Sequence, residues 1–569
     1  MNSRTIATLI STSCMVAAGG AVFAEPLALG YMPTDAKMSC DVSESGFSAS
    51  WAQLELGGKP TGLGPIYDVD NGLVYVFPPD GPGLNPVLSN CDAFEWASQM
   101  FLWLTSTVTV NRLGGGHAPS LPTDPVPTSA DTNYVLSSEF MYRFNSGTLQ
   151  PQSNGSAQVR QSKVQDEPAV DGVDQAGSNG VLFTQGANAT STGSSLVYYD
   201  VYSSRPWGYL RAANLADTSN PPFSQFPADA KAVCATIDYG LQNGFLKPKD
   251  IRLNTLIYGL LCENKVPSGG ILGNGPRPTV AEVEAAIDFL SMALEVKASW
   301  VPASTVANPE QYIVQNATIP IYEDDGSGNL KQNGTTQADM AMIGIHVVGS
   351  TNGHPEMIWA TFEHYSNAPS VDYAYANAAD GTSTFSDMSS LPSDGWLVSD
   401  GTMDASNAEY AALDSKSGLI QPQQSGVAVT TPTNAVRLSP WGSKPGDASA
   451  GTNAEVISTN VSVINALSGY YQTAEGSQAA KNMLSETDPR MNYILTGASW
   501  GSMGAFPESG SMTNLAGTQV MANTTMETFD QDTFAGYNGC FLCHGKPASA
   551  SDFAVSHMYN AVTEVLPND

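Results

Sequence analysis

Ala341-Met342-Ile343-Gly344-Ile345-His346-Val347-Val348-Gly349, then Asn352-Gly353, then Pro355-Glu356-Met357-Ile358-Trp359-Ala360-Thr361-Phe362 is the stretch from which the fold is read. β-branched and aromatic residues crowd both arms, and Asn-Gly between such runs is the two-residue turn that closes a hairpin. The pattern predicts antiparallel strands over 341–349 and 355–362, with His346 opposite Trp359 on one face and His354, Glu356 and His364 on the other. Further strand signals lie at 73–77, after Asp70-Asn71-Gly72, and at 134–142, 195–202 and 313–315. Helical periodicity marks 92–105, 228–243, 251–263, 279–297, 454–471 and 514–530. In the fourth of these, Thr279 and Glu282 form a capping box ahead of Val283, Ala286, Ile287, Leu290 and Leu294. The mixture predicts an α+β fold, a strand- and loop-rich body with several helices.

The loops are rich in Gly, Ser, Asn and Pro at 114–131, 146–180, 267–278 and 367–392, in keeping with 53 Gly and 36 Pro in 569 residues. The expected organisation is a body over 25–511, with a candidate subdivision near 265–278, and a C-terminal segment over 512–569 packed on it. Asp and Glu number 54 against 23 Lys and Arg, a formal charge of −31 that repels phosphate backbones and excludes nucleic acid as a partner.

Residues 1–24 read as a signal peptide: one positive charge at Arg4, an apolar run from Ile6 to Phe23, and small side chains at Val22 and Ala24 before Glu25-Pro26. Export places the protein in a periplasm or outside the cell, and no later run is long enough for a transmembrane segment after cleavage. Six cysteines then remain, of which Cys40 with Cys91 and Cys234 with Cys262 are the expected disulfides.

The remaining two stand in Cys540-Phe541-Leu542-Cys543-His544, the C-x-x-C-H pattern of covalent haem attachment. Two thiols three positions apart can add to the two vinyl groups on one porphyrin edge, and the adjacent imidazole then lies under the iron. A disulfide, a thioredoxin-like redox pair and half of a zinc site are the competing readings of the same residues. On this motif the chain resembles the c-type cytochromes over its last forty or so residues. The resemblance implies one haem c, thioether bonds at Cys540 and Cys543, and His544 as axial iron ligand. Only 25 residues follow His544, so the pocket must draw on upstream chain, and a stand-alone small cytochrome c domain is not expected.

The haem motif is expected in a C-terminal helical segment, with a further helix over 553–566 whose apolar face carries Met558, the candidate distal ligand. Met521 and Met526 are weaker candidates for that position. His346, His354 and His364 crowd one segment with Glu356 and Glu363 as a candidate metal group. Asp68 to Gly72 and Asp324 to Asn329 offer closely spaced oxygens, read as tight turns rather than calcium loops. Gly114 to His117 reads as an exposed loop. Gly497-Ala498-Ser499-Trp500-Gly501 matches a nucleophile elbow, with Asp530 or Asp532 and His557 as nominal triad partners, although a helix would have to follow Ser499.

The function expected from these residues is that of an exported monohaem c-type cytochrome passing electrons to a redox partner protein or a small-molecule donor or acceptor, a basic partner suiting its acidic surface. The alternatives are a peroxidase- or oxygenase-like haem oxidoreductase with an open distal position, and a haem-based sensor.

Overall fold

The computed structural model describes residues 27–41, 66–68, 73–75, 89–105, 109–111, 134–137, 141–144, 157–161, 172–175, 178–186, 194–227, 230–243, 293–351, 353–386, 395–402, 407–442, 450–474, 488–509, 511, 513–531, 539–547 and 550–565. The signal peptide at 1–24, the helix expected at 251–263, the subdivision near 265–278, Gly114 to His117 and Cys262 lie outside these residues.

Thirteen described strands join one mainly antiparallel sheet. They are β1 (Met141–Phe144), β2 (Ala157–Gln161), β3 (Gly180–Val181), β4 (Tyr198–Ser204), β5 (Leu294–Pro302), β6 (Val314–Asp324), β7 (Leu330–Thr351), β8 (His354–His364), β9 (Ala411–Asp414), β10 (Leu419–Pro422), β11 (Tyr493–Gly501), β12 (Leu515–Gly517) and β13 (Val562–Val565). The central path runs β12-β11-β8-β7-β5-β4-β1-β2-β13, with β6, β9, β10 and β3 off it. The fold is therefore α+β and strand-rich, without the form of a small cytochrome domain. Two of the strands, β12 and β13, come from the C-terminal segment, one at each end of the path.

The expected hairpin is β7 and β8, with Thr351 opposite His354 across the turn and Gly353 at φ +81. Its register departs from the expected one beyond the turn: Gly349 pairs with Ile358 and His346 with Thr361, because a bulge containing Met357 at φ +68 adds two residues to β8. A shift of two equals the side-chain period, so His346 and Trp359 still share a face.

Pairing through β5, β7, β8 and β11 aligns three cross-strand rows on that face: Glu295, Val348, Trp359 and Ser499; then Lys297, His346, Thr361 and Gly497; then Ser299, Gly344 and Glu363. The opposite face carries Val296, Ala298, Ile345, Val347, Ala360 and Phe362, all buried. Helices α1 (Asn90–Leu104) and α4 (Ala450–Ala474) pack on the sheet. Phe101 of α1 stacks on Phe362 at 4.6 Å, and Phe94 meets Trp500 edge-on. From α4, the Asn460 side chain both accepts from Leu495 N and donates to Leu495 O. The α1 start is fixed by a capping box between Ser89 and Asp92. Helices α2 (Arg205–Ala216) and α3 (Ala230–Gln242) pack on each other.

Three helical expectations are corrected. Residues 514–530 form no helix but β12 and a series of turns, because Asn523, Thr524, Thr525 and Thr528 direct their side chains to backbone and to the sheet. Within 553–566 a 3-10 turn (Asp552–Val555) and the short α6 (His557–Ala561) lead into β13, which pairs in parallel with β2. At the end of 279–297, Leu294 to Lys297 are strand: the apolar positions there meet β4 and β7 instead of a helical neighbour. The turn Asp324 to Asn329 is as expected, Asp325 Oδ1 accepting from Ser327 N and Oγ.

Cys40 and Cys91 form a disulfide that ties the segment at 27–41 to α1. Replacing both by Ser frees a loop of 51 residues in sequence separation and should cost about 2–4 kcal/mol. A thermal melt of C40S/C91S beside the parent checks this; an unchanged melting temperature would contradict it.

Candidate functional site

The polar face of the sheet is buried by the C-terminal segment, which supplies partners row by row. Asn523 Nδ2 donates to Thr361 Oγ1 (2.9 Å) and Phe362 O (3.0 Å). Thr524 bonds to Glu363, Thr525 Oγ1 lies 2.8 Å from Ser299 Oγ, and Glu527 Oε1 lies 2.6 Å from His346 Nε2. Ser556 and Trp207 Nε1 both donate to Glu295 Oε1. Glu363 is also met by Arg437 Nε at 2.6 Å. Gly344 is required beneath this layer, since a Cβ there would fall within 2.8 Å of Ser299 Oγ and Thr525 Oγ1.

On this platform sits the one-turn helix α5 (Phe541–His544). His544 N bonds to Cys540 O (2.9 Å), so Cys540, Cys543 and His544 occupy positions i, i+3 and i+4 on one helical face. Gly539 enters the turn at φ +55, where a Cβ would crowd the Met521 backbone. Phe541 is fully buried and meets the Trp359 ring edge-on, which anchors the turn to the sheet.

Both motif cysteines are free thiols, Cys540 partly buried and Cys543 exposed. Burial, then the Glu527 charge, pushes the Cys540 thiol up; Cys543 is also raised, by burial and then the charges of Asp530 and Glu527. A redox-active cysteine is held as thiolate, so these shifts run opposite to the thioredoxin reading.

His544 Nδ1–H donates to Val555 O at 2.8 Å. The ring is flanked by Trp359 at 4.3 Å and by His557, stacked at 4.2 Å. His557 Nε2–H in turn donates to Cys543 O (3.1 Å). Burial, then the neighbouring His557, lowers the His544 pKa to about 3, which keeps the imidazole neutral. With Nδ1 committed as donor, the lone pair of the neutral ring sits on Nε2. A metal-binding histidine fixed by a backbone carbonyl has this form, so two thiols and one oriented imidazole on a single turn fit covalent haem.

The other candidates separate. Met558 is partly buried against the core, and Met521 and Met526 are buried. His364 stacks on Tyr312 at 3.8 Å and bonds to Ser366 and Gln311 O, while His354 pairs with buried Glu356 at 2.7 Å. The three histidines of the 346–364 segment thus take three different partners. Among the described residues no group of three or more His, Cys, Asp or Glu is placed to hold a metal ion. Ser499 lies inside β11, which continues as strand through Gly501. That geometry replaces the nucleophile-elbow reading.

Sequence reasoning missed Val555, Ser556, Glu295 and Glu527, the residues that hold the motif in place. Trp359 was placed on the correct face by the alternation of the hairpin, but nothing in the sequence linked it to His544. The chain matches no protein-family model, no curated protein and no solved structure.

Asn523→Ala would leave Thr361 Oγ1 and the Phe362 carbonyl short of a donor, at about 1–3 kcal/mol for each buried group left unpaired. Denaturant unfolding of N523A should show that loss, whereas Asn377→Ala, whose three side-chain bonds lie in an exposed turn where water replaces them, should cost less. A pH effect follows from His364, whose pKa burial lowers to about 3. The unfolded chain takes up this proton near pH 6.5 and the folded one does not, so stability falls as pH drops from about 6.5 toward 3. H364Q should melt with a shallower acid dependence over that window.

Proposed function

We propose that Cys540 and Cys543 carry one covalent haem c, that His544 Nε2 is an axial ligand of its iron, and that the protein exchanges single electrons with a redox partner. The hydrogen bond from His544 Nδ1–H to Val555 O carries this reading, because it leaves Nε2 as the lone-pair nitrogen on the same turn as both thiols. The iron would supply reversible one-electron exchange at a potential set by its ligands and burial. Trp359 and His557 hold the ring between them, and the Ser556 bond to Glu295 pins the turn that presents Val555 O.

Met558 is the candidate second axial ligand. The Cys40–Cys91 disulfide supports an exported location, since such bonds persist in oxidising compartments. No helix among the described residues is long and apolar enough to cross a membrane. The charge of −31 favours a basic partner, with association slowing as salt rises.

A pyridine haemochrome assay and intact mass on the exported protein test the reading. The expected result is one covalent haem per chain, lost in C540A/C543A while far-UV circular dichroism is retained; parent protein without covalent haem overturns it. A low-spin spectrum that becomes high-spin in Met558→Ala would assign the second ligand. Free binding of cyanide by the parent would instead favour the open-position enzyme.

A further inference from the structure

A second feature of the fold lies away from the haem motif. A cleft of about 310 Å³ opens beside the far end of β8, bounded by Tyr312, Tyr365 and Trp396. His364, which stacks on Tyr312, lies five positions along β8 from Trp359 at the motif, roughly 16 Å of extended strand. The aromatic wall is rigid: Tyr31 packs on Tyr365 at 4.8 Å and on Trp396 at 5.5 Å, and the Tyr312 hydroxyl bonds to Ser366 Oγ.

The rest of the lining mixes apolar Val306, Ala307 and Leu397 with polar groups that are almost uncharged. Gln185, Asn308 and Gln311 contribute carboxamides, and Asp400 is the one charged group among the described lining residues. Gln185 Nε2 is committed to Thr433 O, whereas the Asn308 and Gln311 side chains make no hydrogen bond among the described residues. Among the described residues no Lys, Arg or His lines the cleft, so none of them neutralises a phosphate or carboxylate, and the net charge opposes anions further. Carboxamides donate and accept at once, which matches hydroxyl groups, and aromatic walls match the apolar C–H faces of a sugar ring. The volume is at the lower end of the range for small-molecule sites.

We propose that this cleft is a binding site for a neutral, hydroxyl-rich ligand of the saccharide class, with Asn308 and Gln311 as its hydroxyl-reading residues. The assignment does not depend on haem.

Full-length protein should be titrated with cellobiose, maltose and chitobiose by calorimetry and saturation-transfer NMR, with catechol and choline as probes of phenolic and cationic ligands. At least one disaccharide is expected to bind with Kd between about 10 μM and 1 mM. Asn308→Ala and Gln311→Ala, both at the cleft surface, should each weaken it about tenfold without moving the melting temperature. Absence of binding by all three sugars overturns the proposal, as does sugar binding indifferent to both substitutions. Binding of catechol or choline alone, sensitive to N308A, overturns the saccharide class. Either result leaves the haemochrome outcome untouched, so failure of one reading is distinguishable from failure of the other.

Discussion

A sheet face that carries Lys297, His346, Thr361 and Glu363 can be buried only if its polar groups find partners. The C-terminal segment provides them. Asn523, Thr524, Thr525, Glu527 and Ser556 each meet a particular residue of the face, so the segment has one register on the sheet. An apolar face would tolerate sliding, because burial of area is non-directional; hydrogen bonds do not. The C-x-x-C-H motif inherits that register, since α5 sits between the two stretches that are pinned.

The same constraint explains why the protein is large for one C-x-x-C-H motif. The turn Phe541–His544 is too short to orient the His544 imidazole by itself, and its orientation comes from Val555, Trp359 and His557. Val555 is placed by its neighbour Ser556, which bonds to Glu295 on a central strand. Burial pushes the Glu295 carboxyl up to about 7, with the bonds from Ser556 and Trp207 acting in the opposite direction. A carboxyl with two neutral donors and no cation is costly to bury. The same two bonds fix the geometry of the segment behind the motif.

The two sides of the sheet divide the work. Phe101, Phe94 and the buried face of α4 close the apolar side and supply cohesion through area. The polar side supplies position. His364 and His346, on the two adjacent strands of one hairpin, illustrate the division: the first lies among Tyr312, Tyr365 and Tyr493 and the second against Glu527.

Local signals in the sequence determined the hairpin of β7 and β8, helices α1, α3 and α4, and the residue types of the motif, because alternation, capping and the C-x-x-C-H spacing each act within a few residues. The same local reading failed over 514–530, where a helical pattern of apolar positions lost to Asn and Thr side chains whose partners lie more than 150 residues away. It also failed over 562–565, where pairing with β2 selects strand. Cys540, Cys543 and His544 were therefore legible as a set, while the tautomer of His544 was not. That was decided by Val555 O, and Val555 is placed only when Ser556 reaches Glu295 across 261 positions of chain. Chemistry that depends on residue type and short spacing is written in the sequence; orientation that depends on long-range hydrogen bonds exists only once the sheet has formed.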